Sequence, residues 1–210
     1  MVLTATEGPP VPMPERSPLL DIVQGNFGFH FTIDRGLPGA FQHGLLSRDE
    51  ERKRGLNTRI RASRSNPDMV YFTTRINNLY FRHNPDTTLE DTLSEVIGIA
   101  IDRPDYARAK EGHFGEQDQV EPNRFRALVF LDRKVSEKPF SRGIDHYDAY
   151  ELGEPLPEKT LLDRAKFLRA RSEEAGVDIP IYGVSGDMFW PERMQRNDVI
   201  RAIRDTKKDV

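Results

Sequence analysis

The stretch FGFHFTIDRGLPGAFQHGLLSRDEERKRG, residues 27–55, decides how the chain is read. Its first seven residues alternate in the period-2 pattern of a strand, with Phe27, Phe29 and Phe31 on one face and Gly28, His30 and Thr32 on the other. The spacing of Leu37, Ala40 and Phe41 predicts a short helix that stops at Gly44. Ser47 with Glu50 three residues on forms a capping box and predicts a further helical turn in SRDEERKRG. If the phenylalanines face the core, His30 and Thr32 point together toward a cleft or toward solvent. An imidazole beside a hydroxyl offers donors and acceptors that suit a ribose or a carboxamide.

Working outward, MVYFTTRI (69–76), LSEVIGIAIDR (93–103), RFRALVFLDR (124–133), DHYDAYEL (145–152) and IPIYGV (179–184) read as strands, and NLYFR (78–82) continues or pairs with the first of them. PEKTLLDRAKFLRARSEEAG predicts the longest helix, with Leu161, Ala165 and Leu168 as its apolar stripe and Gly176 at its end. RNDVIRAIRDTKK predicts a charged terminal helix. Residues 1–18, rich in proline and small polar residues, predict a loose arm, and 19–210 a single domain. KEGHFGEQDQVEPN predicts a loop, long enough in EGHFGEQDQVEP to cover a site. Strands and helices out of strict alternation argue for α+β.

Composition narrows the chemistry. A chain of 210 residues carries one domain with a real core, or two small ones. With a formal net charge of -3, nothing marks a general nucleic-acid binder, so any basic footprint is local. With no cysteine, thiolate zinc sites, disulfides and a cysteine nucleophile are excluded. No apolar run is long enough for a membrane helix, and the N-terminus lacks a signal pattern. The expectation is a soluble, cytoplasmic protein without membrane attachment.

Two groups of charge stand out. Arg48, Arg52, Lys53 and Arg54 are diluted by Asp49, Glu50 and Glu51 and read as a solvated helix face. Arg59, Arg61 and Arg64 have no acidic neighbour until Asp68; guanidinium groups so placed grip phosphate or pyrophosphate. In GIDHYDAYELGEP, the carboxylates of Asp145, Asp148 and Glu151 offer a general base or a stabiliser of a cationic sugar, or are ordinary acids on an edge strand. His43, His83 and His113 are scattered without metal-ligand spacing, so no metal is expected. Phosphate-loop, dinucleotide and nucleophile-elbow fingerprints are missing; GVSGD is not an elbow.

In this order, His30-Phe31-Thr32, Gly44-Leu45-Leu46-Ser47, the loop of Arg59 to Arg64, Val70-Tyr71-Phe72-Thr73 and DAYELGEPLPEKTLL resemble the ADP-ribosyltransferase family. The likeness is greatest to bacterial toxin-type members, including DarT-like DNA-modifying enzymes, and covers about residues 26 to 162. The resemblance implies an ADP-ribosyltransferase-like split β-sheet core with flanking helices and NAD as substrate. It implies His30 and Thr32 on the nicotinamide-side ribose or carboxamide and an arginine among Arg59, Arg61 and Arg64 on the phosphates. It further implies Tyr71 near the nicotinamide and Asp148 or Glu151 as the catalytic acid. The acceptor would be a nucleic acid or protein, with an antitoxin or other regulatory partner. The family pattern has Glu where this chain has Asp148, unless the register moves to Glu151. An RNA 2′-phosphotransferase-like enzyme and a catalytically silent binding module are the other readings on the same fold.

Overall fold

The computed structural model describes residues 27–56, 68–73, 96–102, 113–117, 119–138 and 149–206. Among them are β1 (Phe27–Ile33), α1 (Leu37–His43), β2 (Leu45–Leu46), α2 (Arg48–Lys53), β3 (Met69–Thr73), β4 (Val96–Asp102), β5 (His113–Gln117) and β6 (Gln119–Val120). There follow β7 (Phe125–Phe130), β8 (Arg133–Lys138), β9 (Ala149–Pro155), α3 (Glu158–Glu174), β10 (Ile181–Gly183), β11 (Met188–Trp190) and α4 (Arg196–Thr206). The expected arm at 1–18 and the segments holding Arg59, Arg61, Arg64 and NLYFR lie outside the described residues.

One seven-stranded sheet runs β11-β10-β7-β4-β1-β3-β5, and two-stranded ladders join β2 to β6 and β8 to β9. Within the large sheet only β7 and β10 are parallel; the other neighbours are antiparallel. A mixed sheet with four described helices out of alternation is an α+β arrangement. Strands β4 and β7 at its centre are nearly all apolar because both faces of the sheet are covered.

Strand alternation divides the core in two. On one face, Ile97, Ile99 and Ile101 of β4, Leu128 and Phe130 of β7, and Val70 and Phe72 of β3 share a cluster with Leu37, Ala40 and Phe41 of α1 and Leu161, Ala165 and Leu168 of α3. On the other, Phe29, Ala100, Ala127, Val129 and Tyr182 meet Val199 of α4. The stripe expected on α3 is the one it buries, completed by Ser172. Trp190, the only tryptophan, packs against the first cluster, with the Arg169 guanidinium 3.3 Å from its ring centre.

The capping box holds: Glu50 N donates to Ser47 Oγ at 3.1 Å, and Ser47 is buried. The loop expected at EGHFGEQDQVEP is a correction. It holds β5, paired in register with β3 (Tyr71 opposite Gly115), and β6, paired with β2 (Leu45 opposite Val120). Its glycine and acids hid the strand, because an edge strand owes its place to backbone pairing rather than to side-chain propensity. Gly44 makes the β2–β6 ladder possible. It ends α1 at φ 79°, and a Cβ there would run into the Val120 carbonyl. Gly44→Ala is therefore expected to destabilise the fold by about 1–3 kcal/mol, read as a lower urea midpoint at unchanged slope.

Candidate functional site

His30 stands in the middle of β1, opposite Ile99 of β4. Phe29 is opposite Thr73 across β1 and β3, so alternation sets His30 beside Phe72. The two rings meet edge to face with centroids 6.5 Å apart. The histidine thus lies on the face that α1 and α3 cover, half-buried against the larger cluster. The phenylalanine face is covered as well, by α4, so neither side of β1 is simply the solvent side. His30 Nδ1 lies 3.1 Å from the Tyr71 carbonyl oxygen. A carbonyl only accepts, so the Nδ1 proton must be present and donate to it. Burial lowers the imidazole's pKa below its ordinary value, and the bond to Tyr71 raises it in part. The neutral ring then carries its lone pair on Nε2, for which no partner is found among the described residues.

Thr32 follows on the same face, opposite Ile97 and half-buried. The chain turns at Asp34–Gly36 into α1. Asp34 accepts two bonds from Arg164 of α3, each 2.5 Å, with both side chains largely covered. A forked guanidinium–carboxylate pair of this kind fixes direction as well as distance. It ties the exit of the His30–Thr32 strand to the long helix.

The other residues expected at the site divide into three groups. Tyr71 supplies its carbonyl to His30, but alternation sends its side chain, exposed at 36%, to the opposite face of the sheet. The ring and the His30 imidazole therefore do not share a wall. Glu151 lies on β9, opposite Ser136 in the β8–β9 ladder, which pairs with no strand of the large sheet. Asp148, Arg59, Arg61 and Arg64 lie outside the described residues. Of the expected constellation, the described residues join His30 to the Tyr71 backbone and set Thr32 on the same face of β1.

Asp132 escaped the sequence reading. It sits just past β7, where an acid directly after the apolar run ALVFL was the available signal. Only 3% exposed, it accepts bonds from the Ser185 backbone at 3.2 Å and from the Ser185 hydroxyl. Burial raises its carboxyl pKa, and the Ser185 bonds pull it back in part. The Asp132 carbonyl accepts from Leu156 N at 2.9 Å, which closes the root of the β8–β9 ribbon. Asp132 is thus the anchor of the ribbon that carries Glu151. Asp187, two residues past Ser185, accepts from Arg196 N at the start of α4 and pairs with Arg193 at 3.5 Å.

A groove of about 840 Å³ opens nearby, lined by Leu156, Glu158, Leu161, Arg193 and Asp198 among others. Neither His30 nor Thr32 lines it. Its lining mixes apolar side chains, carboxylates and an arginine already paired with Asp187, so size alone does not make it the chemical centre.

Family models, curated proteins and solved structures were compared with this chain, and none matches. The functional reading therefore rests on the residues above. Among the described residues no group of His, Cys, Asp and Glu is arranged to hold a metal ion, and no helix is long and apolar enough to cross a membrane.

The lowered pKa of His30 has a consequence for stability. Well above about pH 6.5 the ring is neutral both in the fold and in the unfolded chain, and it adds no pH dependence. Between that value and the lower folded one, the unfolded chain takes up a proton that the fold refuses, so stability falls as pH falls. Urea unfolding from pH 7 to 5 should show this slope, at most about 1.4 kcal/mol per pH unit for one proton. His30→Gln should flatten it. An unchanged slope in the variant would show that His30 titrates freely.

Proposed function

We propose that this chain is an NAD-dependent mono-ADP-ribosyltransferase with an ADP-ribosyltransferase-like core. The observation that carries the reading is His30: a half-buried imidazole whose burial favours the neutral form, with Nδ1 3.1 Å from the Tyr71 carbonyl oxygen and no partner for Nε2 among the described residues. Thr32 stands two residues along the same face. Such a pair suits a ribose: Nε2 accepts a sugar hydroxyl proton, and the threonine hydroxyl donates or accepts beside it. The order of strand, short helix and GLLS phrase adds support, since α1, Gly44 and the Ser47 cap follow β1 directly.

In this reading the bond between nicotinamide nitrogen and ribose C1′ breaks, and its electron pair leaves with nicotinamide. The sugar passes through an oxocarbenium-like state, and an acceptor nucleophile attacks C1′. Glu151 or Asp148 stabilises that cation and takes the acceptor's proton; preorganised negative charge is what this chemistry rewards. An arginine among Arg59, Arg61 and Arg64 takes the phosphates. The acceptor is a protein or nucleic acid, the setting cytoplasmic, and an antitoxin-like partner belongs to the same reading. Tyr71 keeps a part through its carbonyl; its ring belongs to the other face.

Labelled NAD should release nicotinamide on incubation with the protein. His30→Ala should weaken NAD binding about tenfold, as expected for loss of an oriented hydrogen bond and its packing. Glu151→Gln or Asp148→Asn should lower kcat by about a hundredfold or more with the Kd for NAD little changed. Binding of NAD without release of nicotinamide would favour a silent binding module. Turnover at the wild-type rate in His30→Ala would sink the reading.

A further inference from the structure

Gly36 raises a question that its backbone does not answer. Its φ of -86° and ψ of -19° suit any residue, and alanine there would reduce the freedom of the unfolded chain. The reason for glycine lies beside it. A Cβ at residue 36 would collide with Thr32 Oγ1, and among the described residues, chain neighbours and local helix backbone aside, the only other heavy atom within 4 Å is Thr32 Cβ, at 3.8 Å. Among the described residues, the hydroxyl of Thr32 is thus the group that fills the space of the missing side chain.

We propose that Gly36 is a positioning residue: its bare Cα seats the Thr32 hydroxyl, on the face of β1 that Thr32 shares with His30, where it meets a ribose hydroxyl of NAD. The ligand half of this inference rests on the transferase reading above. Threonine is stiff at χ1, with Oγ1 and the methyl occupying two of three staggered positions. With alanine at 36, only the rotamer that turns hydrogen toward residue 36 remains free, so the hydroxyl leaves its seat. The Asp34–Arg164 pair ties the turn between the two residues to α3, which opposes a compensating shift of the backbone.

The test is a cycle of wild type, Gly36→Ala, Thr32→Ala and the double variant. NAD affinity is measured by calorimetry, and the Thr32 χ1 rotamer by three-bond carbon couplings in methyl-labelled protein. Each single variant should lose roughly three- to tenfold in affinity, the worth of one hydrogen bond. The double variant should bind no more weakly than Thr32→Ala, because Gly36 acts only through a hydroxyl already removed. It should also be at least as stable as Thr32→Ala, which separates lost seating from lost folding. Equal losses from Gly36→Ala on both backgrounds would overturn the proposal, as would an unchanged rotamer with unchanged affinity. If the wild type itself does not bind NAD, the transferase reading fails and takes the ligand half with it. The rotamer measurement then decides the seating alone: a switch supports it, and no switch refutes it.

Discussion

Seven consecutive residue pairs join β1 to β4, from Phe27 opposite Asp102 to Ile33 opposite Val96. Everything proposed about the site depends on that register. Side chains alternate across a sheet, so a slip by one residue would exchange the faces of the whole strand. His30 and Thr32 would pass to the α4 side, and Phe29 would enter the cluster of α1 and α3. Ile97, Ile99 and Ile101 hold the register from the β4 side, each wholly buried. Displacing a buried side chain of this size costs about 1.5–3 kcal/mol, and three act together. The position of one histidine is thus set by burial several residues wide.

The same burial sets its chemistry. An imidazole packed against Phe72 and Ile99 is poorly hydrated, and its charged form is disfavoured. The Tyr71 carbonyl then selects which nitrogen keeps the proton. Two ordinary constraints, a covered sheet face and a neighbouring strand's backbone, favour the neutral ring of His30 with its proton on Nδ1. The Asp34–Arg164 pair ties the end of this strand to α3, and Asp132 does similar work at the other end of that helix's approach, holding the root of β8–β9.

Much of this fold was legible in local pattern. The aromatic alternation of β1, the Leu161–Ala165–Leu168 stripe and the Ser47–Glu50 cap are all short-range signals, and each appears where its residues required. What failed was long-range. HFGEQ looks like a loop because its strand identity comes from pairing with β3, which no local preference encodes. Leu45–Leu46 became a strand through Val120 for the same reason. At the site, His30 and Thr32 were readable as a pair from alternation alone. The separation of the Tyr71 ring from them was not, because it depends on the register between β1 and β3. Asp132 was hidden because a lone acid after a strand has meaning only once Ser185 is known to meet it.

The protonation state of one ring tests the account most directly. Long-range proton–nitrogen correlation spectra of uniformly labelled protein at pH 7 distinguish the neutral tautomers from the imidazolium. The account predicts that His30 is neutral with the proton on Nδ1, and that addition of NAD shifts the unprotonated Nε2 resonance. A charged ring at pH 7, or a neutral ring with its proton on Nε2, would contradict it.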